Sequence, residues 1–288
     1  MQGSISPGNG ETKQGYFWAC KRPGADVSFH WQISRSARCL DHIIPADFTG
    51  TVQCDGYNAY PSFANRSDGR ITLAACWAHA RRKFHEAKES APQHAGWLLL
   101  QIQHLYRIEA HLREKRAGPR QRQAVRSSQS RMIVSRIHKA LTRFKLSGQH
   151  LPQSAMGKAI DYTLTLWPLL LIYLDDGRLE IDNNEVENAI RPTAVGKKNC
   201  LRLRRLASLE DAAIAAGRWL FIGEAQAGER SAIFFTVIEA CRRRGIDPQS
   251  YLREVLTRLP TMTNRQIKEV TPEAWAKAQP ASAQRKAA

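Results

Sequence analysis

Apolar and polar residues alternate along the first part of the chain, as they do in half-buried β-strands. Segment 27–34 (VSFHWQIS) alternates in this way, and the aromatic-rich segment 16–21 (YFWACK) precedes it across the turn former Arg22-Pro23-Gly24. We predict that the two segments form an antiparallel hairpin. Shorter strands are predicted at 51–55 (TVQCD) and 71–75 (ITLAA). A short helix is predicted over 41–46 and a basic helix over 77–90.

From about residue 94 the apolar period changes to that of amphipathic helices. Pro168 removes a backbone donor within this region, so the helix that contains it is expected to kink or restart there. Further helices are predicted from Asp182-Asn183-Asn184 to Pro192 and over 210–220, 231–244 and 250–259. Three apolar stripes predict three packed helices: Leu98, Ile102, Leu105 and Leu112; Ile133, Ile137, Leu141 and Phe144; and Met156, Ile160, Leu164, Trp167, Leu171 and Leu174.

Composition adds a strong positive charge to this pattern. The 288 residues include 43 Lys and Arg against 26 Asp and Glu, which gives a net charge of +17. No acidic residue lies between Glu114 and Asp161, where 11 Lys and Arg residues fall, or between 188 and 209. Clustered cations are typical of proteins that neutralise nucleic-acid phosphates. The alternatives are a solvated basic face, an anionic membrane surface and an acidic protein partner.

Other sequence features exclude several classes of protein. The longest apolar stretch, Leu166–Leu174, has nine residues and contains Pro168, whereas a membrane-spanning helix needs roughly 20. We therefore expect no membrane span, and the first residues lack a secretory signal, so a cytoplasmic location is expected. The six cysteines form no CxxC pair and are expected to be reduced. Cys76 and His79 form only half of a zinc motif.

Two carboxylates are candidates for chemistry. Asp55 follows a predicted strand, and Glu187 lies on a short predicted helix with Arg191 one turn later. Singly, each has an ordinary explanation, a turn residue and an exposed ion pair. Together, and beside cations, they suit metal-dependent phosphodiester chemistry, in which carboxylates hold two divalent ions roughly 3.5–4 Å apart.

Three strings of residues occur in the order found in one known family. They are Asp55–Tyr60 (DGYNAY), Cys76–Phe84 (CWAHARRKF), and Asp182–Pro192 (DNNEVENAIRP) followed by Gly196–Asn199 (GKKN). The chain resembles transposases of the insertion sequence 66 family over about residues 7–275. The resemblance implies an α/β fold with an RNase H-like mixed sheet core of the DDE type, a large helical insertion and a helical C-terminal region.

The resemblance also implies roles for individual residues. Asp55 matches the second catalytic acid and Glu187 the third, so both are expected to hold Mg²⁺ or Mn²⁺. A solvated basic face is the alternative for the cationic residues within the second string, from His79 to Lys83. The residues expected to contact DNA are His79, Arg81, Arg82, Lys83, Arg191, Lys197 and Lys198.

The resemblance divides the chain into five parts. They are 1–90, the first part of the core with an incomplete first strand; 91–180, the helical insertion; 181–223, the remainder of the core; 224–275, the helical C-terminal region; and 276–288, a disordered tail. In two respects the chain departs from the family. The position of the first catalytic Asp falls before Met1, and neither Asp26 nor Asp41 is a good substitute. An insertion at 200–218 precedes a strand matched by 219–223.

The implied function is DNA transposition, with transposon ends and target DNA as partners. Because the first acid is missing, we expect a truncated or incomplete catalytic region with little activity. We expect the chain to be cytoplasmic and nucleoid-associated, and a full-length transposase or a second copy of the chain is a further expected partner. One alternative is a non-catalytic, DNA-binding remnant that pairs with a full-length transposase. Another is an RNase H-like nuclease that acts on branched or hybrid nucleic acid.

Overall fold

The computed structural model describes residues 2–5, 13–191 and 225–278. The fold is α/β, mostly helical with small sheets. The chain divides into two compact units: one contains the described residues of 1–35 and 186–288, and the other is Ser36–Glu185. No helix in the described ranges combines the length and the apolar character needed to cross a bilayer.

The elements follow one another in this order along the chain. The first half contains β1 (Gln2–Ile5), β2 (Lys13–Lys21), β3 (Val27–Gln32), a 3₁₀ turn (Ala37–His42), β4 (Gly50–Cys54), α1 (Ala59–Asn65), β5 (Ile71–Ala75), α2 (Trp77–Glu86), α3 (Pro92–Glu114), α4 (Pro119–Val125), a π-helical segment (Arg126–Ser130) and α5 (Arg131–Leu146). The second half contains α6 (Ala155–Thr165), α7 (Trp167–Asp175), α8 (described over 184–191), α9 (Ala225–Arg243), α10 (Pro248–Arg258), 3₁₀ turns at Leu259–Thr261 and Gln266–Val270, and α11 (Pro272–Ala278).

The first unit is built on the antiparallel sheet β1-β2-β3. The predicted hairpin is confirmed, with Tyr16 opposite Gln32 and Lys21 opposite Val27. Alternation along β3 places Val27, Phe29 and Trp31 on one buried face, and α9 covers this face through Phe235. The rings of Phe17 and Phe235 meet edge to face, with their centroids 5.4 Å apart.

A smaller core closes the far end of the first unit. Cys241 of α9 packs with Tyr251 and Val255 of α10 and with Val270. The Asp247 carboxylate caps α10 by accepting the Ser250 N–H at 2.8 Å. The Tyr251 hydroxyl donates to the Val270 carbonyl at 2.5 Å. The first bond begins α10 after the Gly245 turn, and the second joins α10 to the 3₁₀ turn at Gln266–Val270.

The second unit packs helices around the parallel pair β4-β5. The strands align Gly50 with Ile71 and Cys54 with Ala75. The predicted helical stripes form the core of this unit, since Leu98, Ile102, Leu105, Ile137, Leu141 and Ile160 are all buried. The restart predicted at Pro168 is confirmed: α6 ends at Thr165, and Pro168 occupies the first turn of α7, where its missing N–H removes no helical hydrogen bond.

The structure also differs from the sequence predictions. The helix predicted over 41–46 is a 3₁₀ turn at Ala37–His42, and α1 and α4 with its π-helical continuation were not predicted. Residues 276–278 of the predicted tail belong to α11. The described sheets establish the α/β class, whereas the RNase H-like core stays a prediction. The predicted helix at 210–220, the insertion at 200–218, the strand at 219–223 and the tail at 279–288 lie outside the described residues.

The contact between Gly228 and Trp31 gives a test of the first unit. A Cβ at Gly228 would overlap the indole ring of Trp31, so we expect Gly228→Ala to lower the free energy of unfolding by about 1–3 kcal/mol through overpacking. Gly96→Ala is the matched control because Gly96 is also helical and has open space around it. It should raise stability by up to about 1 kcal/mol through helix propensity. Denaturant unfolding of both variants checks this, and equal effects would contradict it.

Candidate functional site

Asp55 lies at the carboxyl edge of the parallel strands. Because Cys54 pairs with Ala75, the residues that follow the two strands, Asp55 and Cys76, emerge at the same edge, where α/β proteins commonly bind ligands. Asp55 is half-buried. Its Oδ1 accepts the Tyr57 N–H at 3.1 Å, and its carbonyl accepts the Tyr162 hydroxyl at 3.3 Å. The turn is therefore fixed from both its backbone and its side chain.

Gly56 makes this turn possible. Its φ of +81° is a conformation that L side chains rarely adopt. A Cβ there would also lie 3.2 Å from Leu166 Cδ1 and 3.3 Å from the Tyr162 hydroxyl oxygen. Burial raises the pKa of Tyr162 to about 12, so its hydroxyl keeps the proton that it donates to Asp55. The local structure thus explains why glycine follows Asp55 in the string Asp55–Tyr60.

Helix α2 begins beside this edge, with Cys76 as its N-cap residue. Its inner face buries Trp77, Ala80 and Phe84, and the Trp77 indole donates to the Leu170 carbonyl at 3.0 Å. The predicted DNA-contacting residues take the other positions. Arg81 and Arg82 are exposed, His79 is half-buried, and the ammonium of Lys83 lies 3.4 Å from the Glu86 carboxylate.

Residues 180–183, which precede α8, are hydrogen-bonded to the carboxyl ends of the same strands. The Trp77 N–H donates to the Ile181 carbonyl at 3.2 Å, and the Asn183 N–H donates to Cys76 Sγ at 3.5 Å. From β4, the Gln53 amide donates to the Glu180 carbonyl at 2.8 Å. The start of the Asp182-Asn183-Asn184 string therefore lies at the edge where Asp55 emerges. Sequence reasoning did not find this connection.

The carboxylate of Asp182 holds the turn that leads into α8, and the start of this helix at Asn184 confirms the prediction. Its two oxygens accept the Asn184 N–H at 3.1 Å and the Asn184 side-chain amide at 2.7 Å. Tyr106 of α3 lies close by. Burial, and next the negative charge of Asp182, raise the pKa of Tyr106. The phenol is therefore neutral across the physiological pH range.

A fully buried arginine holds the segment that leads to this string. Arg126 donates from Nε and Nη2 to the two oxygens of Glu109, each at 2.7 Å. It also donates to the carbonyls of Tyr173 at 2.7 Å, Asp176 at 3.0 Å and Leu179 at 2.9 Å. These bonds use all five N–H groups of the guanidinium. One side chain thus connects α3 to the end of α7 and to the loop after it.

Arg122 and Arg113 extend this network to the surface. Arg122 lies 3.1 Å from Glu109 and 2.8 Å from Glu180, and Arg113 lies 3.2 Å from Glu180. Two cations of the first acid-free run, Arg122 and Arg126, therefore bind carboxylates within the protein, which corrects their assignment to a phosphate-binding cluster. The signal that could have revealed this is Glu109, which interrupts the apolar stripe between Leu105 and Leu112 and requires a buried partner.

Two further predicted residues, Glu187 and Arg191, lie on the part of α8 that belongs to the first unit. Ala189 is buried in the core formed by Phe17 and Trp31. Glu187 is half-buried, whereas the sequence predicted an exposed ion pair with Arg191; Arg191 itself is exposed. Ile190 packs against the same core, and Val186 is half-buried. Lys197 and Lys198 lie outside the described residues.

Comparison with known proteins identifies the class of protein to which this architecture belongs. Residues 2–211 match the Transposase IS66 family, and residues 236–273 match the IS66 C-terminal element. The chain belongs to the IS66 family of transposases. No solved structure gives a significant match.

The curated relatives that the chain matches come from Sinorhizobium fredii. Uncharacterized protein y4qI is 32% identical over 272 residues, which cover 89% of this chain and 46% of the relative. Uncharacterized protein y4jD is 31% identical over 286 residues, which cover 94% of this chain and 51% of the relative. The chain thus spans about half the length of these relatives.

The buried arginine network gives a second test. Arg126→Met should lower the free energy of unfolding by about 3–5 kcal/mol, because it leaves the Glu109 carboxylate buried without this partner. Arg131→Met is the matched control: Arg131 is half-exposed and pairs with Asp175 on the surface, so its loss should cost under about 1 kcal/mol. Denaturant unfolding measures both. Similar losses of unfolding free energy for the two variants would show that the buried ion pair contributes no more to stability than the surface pair does.

The buried thiols of Cys54 and Cys76, at the ends of β4 and β5, lead us to predict that the protein loses stability at alkaline pH. Burial raises the pKa of both Cys54 and Cys76 to about 11 from the ordinary 9.0. Between these values the unfolded chain releases thiol protons that the folded chain retains, so stability falls as the pH rises from 9 to 11. We expect about 2 kcal/mol per thiol. Unfolding measured against pH should give a shallower fall for Cys54→Ala/Cys76→Ala, and an unchanged slope would contradict this.

Proposed function

We propose that the chain is a DDE-type catalytic region, with an RNase H-like core, that acts on DNA phosphodiester bonds during transposition. The supporting observation is the attachment of the Asp182-Asn183-Asn184 segment to the carboxyl ends of β4 and β5, where Asp55 emerges. The strings that begin at Asp55 and at Asp182 therefore lie beside α2, which carries the string Cys76–Phe84. Family membership supports the transposition role.

Asp55 and Glu187 are the proposed metal ligands and catalytic residues. Carboxylate oxygens are the ligands that Mg²⁺ prefers, and Mn²⁺ accepts them as well. Asp55 fits this role because Oδ1 receives the Tyr57 N–H while Oδ2 accepts no hydrogen bond from the described residues. A bound divalent ion lowers the pKa of a water or hydroxyl at the reacting phosphate.

The proposed reaction is an attack on phosphorus by water and then by a 3′ hydroxyl. The attacking oxygen forms a new P–O bond, the bond to the other DNA oxygen breaks, and the departing oxygen takes up a proton. Arg81 and Arg82 on α2 are exposed beside the Asp55 edge and would neutralise nearby phosphates, with His79 and Lys83 on the same helix. Arg191, Lys197 and Lys198 are proposed as further DNA contacts.

The proposed partners are transposon ends, target DNA and either a full-length transposase or a second copy of the chain. The matched relatives are about twice as long as this chain. We therefore propose that the complete transposition reaction is carried out by a protein of the relatives' length. We expect this chain to bind DNA and to cut it weakly, since Asp55 and Glu187 are two of the three acids that the family uses. A DNA-binding remnant and an RNase H-like nuclease are the competing proposals.

The test is divalent-ion-dependent nicking of supercoiled DNA. We expect strong activity only from a version extended upstream to include the first acid. In that version Asp55→Asn and Glu187→Gln should each reduce nicking by at least about 100-fold, which is the scale of losing one electrostatic contact to the transition state. Glu185→Gln is the matched control, because it makes the same change to an exposed acid of α8.

Each outcome separates the competing proposals. Nicking by the extended version that survives both Asp55→Asn and Glu187→Gln would contradict the assignment of the two acids. Binding without nicking by either version would favour the DNA-binding remnant. Cleavage of branched or RNA–DNA hybrid substrates in preference to duplex DNA would favour the nuclease.

A further inference from the structure

The outer face of α5 carries cations without acidic neighbours. Arg136, Lys139 and Arg143 follow one another at spacings of three and four residues, so they lie along one side of the helix. All three are exposed, while Ile137 and Leu141 are buried on the opposite side. No acidic residue occurs in α5 or for 14 residues on either side.

The three cations also differ from their neighbours in pairing. Arg131 binds Asp175, and Lys145 binds Asp161, each at 2.5 Å. Arg136, Lys139 and Arg143 form no ion pair within the described ranges. The carboxylates nearest to α5 are thus already neutralised at its two ends, and the charge of the central face is directed at solvent.

Beside two of these cations the surface is open and only slightly concave. A shallow groove is lined by His138, Lys139, Thr142, Arg143, Leu146 and Ser147. The hydroxyl group of Thr142 and the imidazole of His138 add hydrogen-bonding groups beside the two cations. Such a set, with no acceptor carboxylate, is chemically complementary to phosphate oxygens.

We propose that this groove and the α5 cations bind the phosphate backbone of duplex DNA, at a surface separate from the Asp55 edge and independent of metal. Arg136 and Arg143 lie about 10 Å apart along the helix axis, a length of duplex that carries about six phosphate charges. This interface rests on the proposed function for the identity of its partner. Because it contacts backbone alone, it holds DNA without sequence preference.

The test compares two triple variants of the full chain by fluorescence anisotropy with a labelled 30-base-pair duplex in EDTA. Arg136→Gln/Lys139→Gln/Arg143→Gln should flatten the slope of log affinity against log salt by about 2.7, since each phosphate contact contributes about 0.9. Affinity at 100 mM salt should fall at least about tenfold. The control Arg107→Gln/Arg253→Gln/Lys268→Gln removes the same charge from exposed positions outside α5 and should leave the slope unchanged.

An unchanged slope in the α5 variant, or equal losses in both variants, would overturn the proposal. Vesicles of phosphatidylcholine and phosphatidylserine test an anionic membrane instead, because exposed Met132 and Leu146 flank the cations. Loss of vesicle binding with intact DNA binding would also overturn it. Failure of the proposed function is distinguishable: it abolishes nicking by every version, while the α5 variant still loses metal-free DNA binding.

Discussion

The contact between Arg126 and Glu109 is the constraint on which the second unit depends. Both side chains are fully buried, and two charges removed from water destabilise a fold unless each finds partners. Arg126 meets this condition because three backbone carbonyls complete its coordination. Those carbonyls lie at the end of α7 and in the loop beyond it. The hydrogen bonds that stabilise the Arg126 charge therefore also hold the loop that leads toward α8.

The π-helical segment places Arg126 where it can make these bonds. Wide helical turns of this kind are uncommon, and they often occur at functional positions. Here the segment Arg126–Ser130 joins α4 to α5. On the other side of the loop, Gly177 lies so close to the Pro119 carbonyl that a Cβ would not fit. Helix α4, the π-helical segment and α7 thus form one support for the residues that precede the Asp182-Asn183-Asn184 string.

The same network changes how the positive charge of the chain is understood. The acid-free run contains cations that pair with acids inside the protein and cations that face solvent. Only the structure shows which residues belong to each group. Arg122 and Arg126 neutralise acids within the second unit, whereas Arg136, Lys139 and Arg143 remain on an outer helix face. On the two proposals above, the α5 face would hold the DNA backbone, while Asp55 and Glu187 would act on the bond that is cut.

Much of the fold could be predicted from local patterns, but the site could be predicted only in part. Period-2 alternation predicted β3 and β4, and aromatic or apolar composition predicted β2 and β5. The helical stripes predicted α3, α5, α6 and α7, because each stripe marks a buried face. The π-helical segment and the Arg126–Glu109 pair were missed because they depend on contacts between residues distant in sequence. The string Asp182-Asn183-Asn184 indicated a helix start, but its attachment to Cys76 requires the tertiary structure.

The central claim is that Asp55 and Glu187 act together on one metal-dependent reaction, and Mn²⁺ binding tests it most directly. Mn²⁺ affinity would be measured by electron paramagnetic resonance for the wild-type chain, for Asp55→Asn, for Glu187→Gln and for the double variant. If the two carboxylates share an ion, the double variant loses little more affinity than either single variant. Additive losses, or no loss in either single variant, would contradict the account.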